Sequence, residues 1–178
     1  PPLMPRVVGM DVMATREWMD EGHSRAQLRT DLSKGRLVRL RRGVVIDAEP
    51  PDALSFYRLK IAAAARCLEE GTYFGHESAA VLHGLPLLAG RLREVVAVRT
   101  RGGHGNITST LHARRAKLGP DDVCAIEGWP ATSLERTIAD LVRRLPFPEA
   151  VMVADAGLRI GADLASVADY VAVGRGCR

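Results

Sequence analysis

Cysteine is nearly absent: Cys67, Cys124 and Cys177 are the only three in 178 residues, and no two share a C-x-x-C spacing. An odd, scattered set excludes a disulfide framework and a zinc site, and it suits a reducing, cytoplasmic setting. Long apolar runs are missing as well. None approaches the ~20 residues that cross a bilayer, so no membrane partner is expected. The opening stretch PPLMPRVVGMDVM lacks both a long apolar segment and a small-residue cleavage site, so no signal peptide is expected. There is no G-x-S-x-G, and no Cys or Ser has an evident His/Asp partner. The expectation is a protein that is not an enzyme and needs no cofactor. Lysine is scarce too, at three of 25 positive charges, a bias that carries no functional weight by itself.

What is present is an apolar share of 47%, enough for a packed core in one medium domain or in a small module plus a larger one. The charge is unevenly spread. Residues 24–43 hold seven Arg/Lys against Asp31 alone, and residues 91–117 hold seven against Glu94, so each block nets +6. The remaining blocks are slightly acidic, which brings the whole chain down to +4. Two basic islands in an acidic background suit a localised anionic contact better than a generally cationic surface.

The first island has a shape. ATREWMDE (14–21) reads as a helix ending at Gly22, and Ser24 with Gln27 forms a capping box that opens a second helix ending at Gly35. On that second helix Leu28 and Leu32 mark the inward stripe. Ala26, Gln27, Thr30 and Lys34 lie opposite, flanked by Arg25 and Arg29. RLVRL and VVID then read as short strands joined by a tight Arg41-Arg42-Gly43 turn. Helix, turn, helix and arginine-tipped hairpin predict a winged helix-turn-helix over residues 1–49. Gln27 and Thr30 are placed to reach base edges, and Arg25, Arg29, Lys34, Arg39, Arg41 and Arg42 to reach phosphates. The alternative is a basic, solvated face on an ordinary α/β subdomain.

Pro50-Pro51 reads as a linker to a mixed α/β domain over residues 50–178, giving an α+β chain overall. A long helix is expected at 52–70, a shorter one in HESAAVLHGLPLL (76–88), and strands in REVVAVRT, STLHARR and VCAI. RGGHGNI between two of these strands reads as a hairpin loop. It has the glycines of a phosphate loop but no P-loop Lys-Ser/Thr and no helix directly after it. Thr132 and Glu135 have capping-box form at the start of SLERTIADLVRRL, whose Leu134, Ile138 and Leu141 mark a core stripe. Further helices follow at roughly 149–159 and 163–172.

Two tempting sites fail on chemistry. His76 and His83 stand seven residues apart on a helix, which separates them by ~10 Å; zinc–nitrogen bonds are ~2 Å, so one ion cannot take both, and no metal site is expected. PDDVCAIEGW has the acid, spacer and acid of a nuclease motif, but Trp129 stands where that motif needs lysine.

SRAQLRTDLSKGRLVRLRRGVV, HESAAVLHGLPLL, LHARR, GWPATSLERTIADLV and VMVADAGLR occur in the order and spacing of actinobacterial AbiEi-type antitoxins, and the chain resembles that family over residues 14–160. The resemblance implies a winged-helix domain followed by an α/β antitoxin domain. It implies repression of a toxin–antitoxin operon through inverted repeats in double-stranded promoter DNA, and a type IV relation to a nucleotidyltransferase-like toxin without a necessary tight complex. The rival readings are a stand-alone regulator, and the DNA-recognition arm of a longer protein with a nuclease-like C-terminal domain. The second basic island, with Arg99, Arg101, Arg114 and Arg115, is a candidate second surface for phosphate, RNA or the toxin; its plain alternative is a solvated strand face.

Overall fold

The computed structural model describes residues 12–47, 50–100 and 111–173. The fold is mixed α/β, with seven α-helices and two sheets among the described residues. Two compact units divide after Cys67, at Pro1–Cys67 and Leu68–Arg178, rather than at the Pro50-Pro51 pair, so the helix that follows the prolines belongs with the first unit. No helix among the described residues is long and apolar enough to cross a membrane.

The first unit runs β1 (Met13–Ala14), α1 (Thr15–Asp20), α2 (Arg25–Ser33), β2 (Val38–Arg41), β3 (Val44–Ile46) and α3 (Ala53–Ala65). Its antiparallel sheet has the order β1-β3-β2, which puts β3 in the middle and buries all three of its side chains. A small core of Trp18, Leu37 and Val45 forms on one face of this sheet. Met13, Met19, Leu28 and Leu32 pack onto it, so the inward stripe expected on α2 is realised. α3 is capped by Asp52, whose carboxylate accepts the Ser55 amide at 2.8 Å. Tyr57, Leu59, Ile61 and Ala62 to Ala64 are all buried, so this helix is apolar around most of its girth.

One irregularity decides where an arginine goes. Val38 pairs with Ile46 and Arg39 with Val45, but the next pairing is Arg41 with Val44, which leaves Leu40 as an extra residue. Such a bulge reverses the alternation of faces beyond it. Arg39 stays on the Val45 face, which carries the α1–α2 core. Arg41 moves to the opposite face, where its Nη1 donates to the Ala63 carbonyl of α3 at 3.4 Å.

The second unit contains β4 (Thr72–Phe74), α4 (His76–His83), β5 (Val95–Arg99), β6 (Leu111–Arg115), β7 (Val123–Ile126), β8 (Trp129–Thr132), α5 (Leu134–Val142), α6 (Phe147–Arg159) and α7 (Leu164–Val173). The sheet order is β6-β5-β4-β8-β7. β5 and β6 pair in parallel, so their connection is not the hairpin expected from sequence; the glycine stretch itself lies outside the described residues. The expected Thr132 cap is also corrected. Thr132 ends β8, Ser133 occupies the N-cap position, and Glu135 accepts the Asp163 amide at 3.2 Å instead of closing a box. The Thr132 hydroxyl meets Thr137 at 2.7 Å in a fully buried pair. Ile138 and Leu141 enter a core with Ala80, Leu85, Leu145, Ala150 and Val153, and Leu134 packs at its margin.

Candidate nucleic-acid interface

α2 is held by its capping box. Ser24 Oγ accepts the Gln27 amide at 3.1 Å, and Gln27 Oε1 accepts the Ser24 amide at 2.7 Å. Together these satisfy two of the donors that a helix start leaves unpaired. No residue of α2 is buried. Helices in proteins owe most of their stability to a packed face, so one that packs only the margins of Leu28 and Leu32 has most of its surface open to a ligand.

That surface carries the expected groups. Arg25, Arg29, Thr30 and Lys34 are exposed, as are Arg39 and Arg42. Arg36, which sequence reasoning did not single out, pairs with Asp31 at 3.4 Å and so neutralises the one acidic group of the island. Thr15, Met19, Arg25, Leu28 and Arg29 line a groove of about 440 Å3 between α1 and α2. In the turn joining these helices, His23 stacks on Trp18 with ring centroids 4.1 Å apart. Two of the sequence-assigned roles narrow. Half-buried Arg41 is turned onto α3 by the bulge and does not join Arg39 and Arg42. Gln27 has its carbonyl committed to the cap, which leaves Nε2 alone for an outside partner.

The second island does not form one patch. Arg99 and Arg115 lie side by side in register, and alternation puts Arg114 on the other face of the sheet. Arg99 bonds to Glu69 at 2.8 Å and to Thr72 at 3.3 Å with only 14% of its side chain exposed. Arg91 makes a two-pronged contact with Glu149 at 2.8 and 2.9 Å, which holds the Glu149 carboxyl below the usual range. Arg101 lies outside the described residues. A separate groove of about 710 Å3, bordered by Tyr73, Thr100, Lys117 and Gly119, touches none of the predicted site residues.

Sequence reasoning missed a polar cluster around the start of α4. His76 takes a positive φ of 51°, uncommon outside glycine although histidine, asparagine and aspartate adopt it more often than other residues. His76 Nδ1, Glu77 Oε2 and Arg114 Nε are buried without a hydrogen-bond partner. Arg144 approaches Glu77 only to 3.9 Å. Burial is the main force on His76; with the nearby Arg144 and Arg114 it outweighs the pull of Asp140 and Glu77 and pushes the imidazole down to about 4. His83 is engaged elsewhere, 2.8 Å from the Thr132 carbonyl. Among the described residues no group of three His, Cys, Asp or Glu could hold a metal ion.

Because burial lowers its pKa, His76 makes the stability of the fold depend on pH. The unfolded chain takes up this proton near pH 6.5 and the folded chain only near 4. Stability from neutral His76 is therefore full above 6.5 and falls as the pH drops towards 4, by up to ~3 kcal/mol at ~1.4 kcal/mol per unit. Urea midpoints of the second unit between pH 7 and 4.5 should fall accordingly. His76→Asn, which tolerates the left-handed backbone and does not titrate, should flatten that slope. An equal slope in the variant would assign the acid sensitivity to other groups.

No family model and no curated protein matches this chain. Among solved structures, the chain is similar to the RV2827C protein from Mycobacterium tuberculosis, with 15% identity and a TM-score of 0.45 over 90% of this chain and 75% of that one.

Proposed function

We propose that the protein is a DNA-binding transcriptional repressor whose first unit acts as a winged helix-turn-helix, and that it serves as the antitoxin of a toxin–antitoxin operon. The observation that carries the DNA reading is α2, a capped helix with no buried residue and with Arg25, Arg29 and Lys34 exposed along it. The order β1-α1-α2-β2-β3 with the sheet order β1-β3-β2 supports this reading. α2 takes the place of the reading helix, and the β2–β3 hairpin, with Arg42 at its turn, takes the place of the wing. A major groove ~12 Å wide admits such a helix, and arginines at its margins supply the salt-dependent phosphate contacts.

The antitoxin half of the proposal rests on the sequence resemblance in HESAAVLHGLPLL and GWPATSLERTIADLV, which implies a nucleotidyltransferase-like toxin as functional partner. Two measurements test the pair of claims. Binding of the full chain to a labelled duplex from its own promoter should weaken steeply between 50 and 200 mM salt, roughly in proportion to the phosphates contacted. Co-expression should restore growth to cells making the neighbouring nucleotidyltransferase. Promoter binding without rescue would leave a stand-alone regulator. Absence of any salt-dependent duplex binding would remove the repressor claim itself.

A further inference from the structure

We infer that α6 is the pairing surface of a twofold dimer, and that its occupant is α6 of a second copy of this chain. Most of the large apolar side chains exposed among the described residues fall between Phe147 and Leu164. A helix that needs one partner shows one apolar stripe; α6 has two. Ala150, Val153 and Gly157 are buried and form the stripe that meets the core. Phe147, Val151 and Leu158 are 81%, 49% and 40% exposed, with half-buried Ala154 between them. At 100° per residue these four fall within ~60° of one another, and the middle of that ridge lies ~100° from the core stripe. Pairing of this kind lies in the second unit and needs nothing from the DNA-binding reading.

The ridge is self-complementary. Turned end for end about an axis between Met152 and Val153, it sets Phe147 against Leu158 of the second copy and Val151 against its Ala154, so each bulkier side chain faces a smaller one. Small Ala154 lets the two helices approach to the ~8 Å of close helix pairs. Charge agrees with this partner. No charged residue lies on the ridge, Glu149 is held by Arg91, and beside the ridge Asp155 pairs with Arg159 of the same helix at 2.8 Å. Two copies therefore meet without unpaired like charges, and their antiparallel helix dipoles attract. Area sets the strength. With exposed Pro148 beside it, the ridge offers roughly 350 Å2 of apolar surface, taking ~200 Å2 for a whole phenylalanine and less for the others. Both copies supply ~700 Å2, and homodimer interfaces are ~65% apolar, so the full contact is ~1,100 Å2. That passes the ~1,000 Å2 expected of a specific interface. A contact of this size suits a pair that separates at roughly 1–100 μM.

Sedimentation of the full chain should show a monomer–dimer equilibrium between roughly 1 and 300 μM. Near the axis, residue 151 of the two copies comes within about 5 Å along the helix axes. Val151→Glu should therefore weaken the dimer roughly tenfold or more while leaving the melting temperature unchanged, and Val151→Lys should do the same. An equal mixture of the two variants should recover a dimer, since opposite charges then face each other across the axis. Direction is read by cross-linking in a background of Cys67→Ser, Cys124→Ala and Cys177→Ser. There Phe147→Cys mixed with Leu158→Cys should form an oxidised dimer that neither variant forms alone. A parent chain that stays monomeric at about 300 μM overturns the inference and leaves the ridge to a different protein. A dimer that survives Val151→Glu moves the contact to another face and overturns it as well.

Discussion

Leu141→Ala should cost the second unit ~2–5 kcal/mol in a denaturant melt, as expected for truncating a fully buried leucine in its helical core. Leu141 is fully buried, and it lies in the same cluster as Ile138, Leu145 and Val153. The same core gives a sharper test at Gly157 on α6, where a Cβ would stand 2.2 Å from Ile138 Cδ1 and 3.0 Å from its Cγ1. Two effects compete in Gly157→Ala. Replacing glycine in a helix interior gains ~1 kcal/mol, and overpacking a tight core costs ~1–3 kcal/mol. Ile138 is 1% exposed and has little room to move, so overpacking should win and the variant should be destabilised. In an Ile138→Val background, which deletes the offending Cδ1, Gly157→Ala should become neutral or stabilising. The two changes are in contact, so their non-additivity should reach ~1 kcal/mol or more. Additive behaviour would mean that α6 and α5 do not meet at this point.

The elements that sequence reasoning located are those whose signals are local. Ser24, Gln27 and Gly35 bracket α2 within one dozen residues, and the hydrogen bonds of the cap form as the spacing predicts. Ile138 and Leu141 carry the stripe of α5 for the same reason. What escaped depended on distant partners. β8 is not among the strands expected from sequence; Pro130 breaks its four-residue run, and proline normally marks an edge. Pairing with β4 on one side and β7 on the other nevertheless makes it an inner strand. Glu127 and Gly128, both at positive φ between β7 and β8, are the hairpin signal that could have found it.

The charge islands failed to translate into patches for a related reason. Charge counted along the chain ignores Glu69, thirty residues before Arg99, and Glu149, fifty-eight after Arg91. At the first island the count survives better, since its one acidic residue meets Arg36 and leaves Arg25, Arg29, Lys34, Arg39 and Arg42 exposed. Even there a single bulge residue, Leu40, redirects Arg41, and nothing in RLVRLRRG announces it. Buried orphaned atoms around His76 have no sequence signature either, because Glu77 and Arg114 come from elements far apart in the chain.

The arginines of the first unit should separate into two classes when tested on DNA. Arg25, Arg29 and Lys34 are exposed on or beside α2 with no acidic residue bonded to them among the described contacts. If all three touch phosphate, replacing them together with alanine should lower the slope of log affinity against log salt by roughly 2–3, at ~0.9 per contact on duplex DNA. Near physiological salt the same contacts amount to roughly a hundredfold loss of affinity, shared by cognate and random duplexes because phosphates carry no sequence. Arg41→Ala should behave differently. Its guanidinium is turned to the Ala63 carbonyl, so its loss should lower the melting temperature of the first unit while leaving the salt slope within error. Arg42→Ala, at the exposed hairpin turn, should sit with the first class and lower the slope by about 1. A triple variant that stays folded and keeps the parental slope would take α2 off the DNA. An Arg41 variant with a reduced slope and an unchanged melt would put that side chain back on the phosphate face.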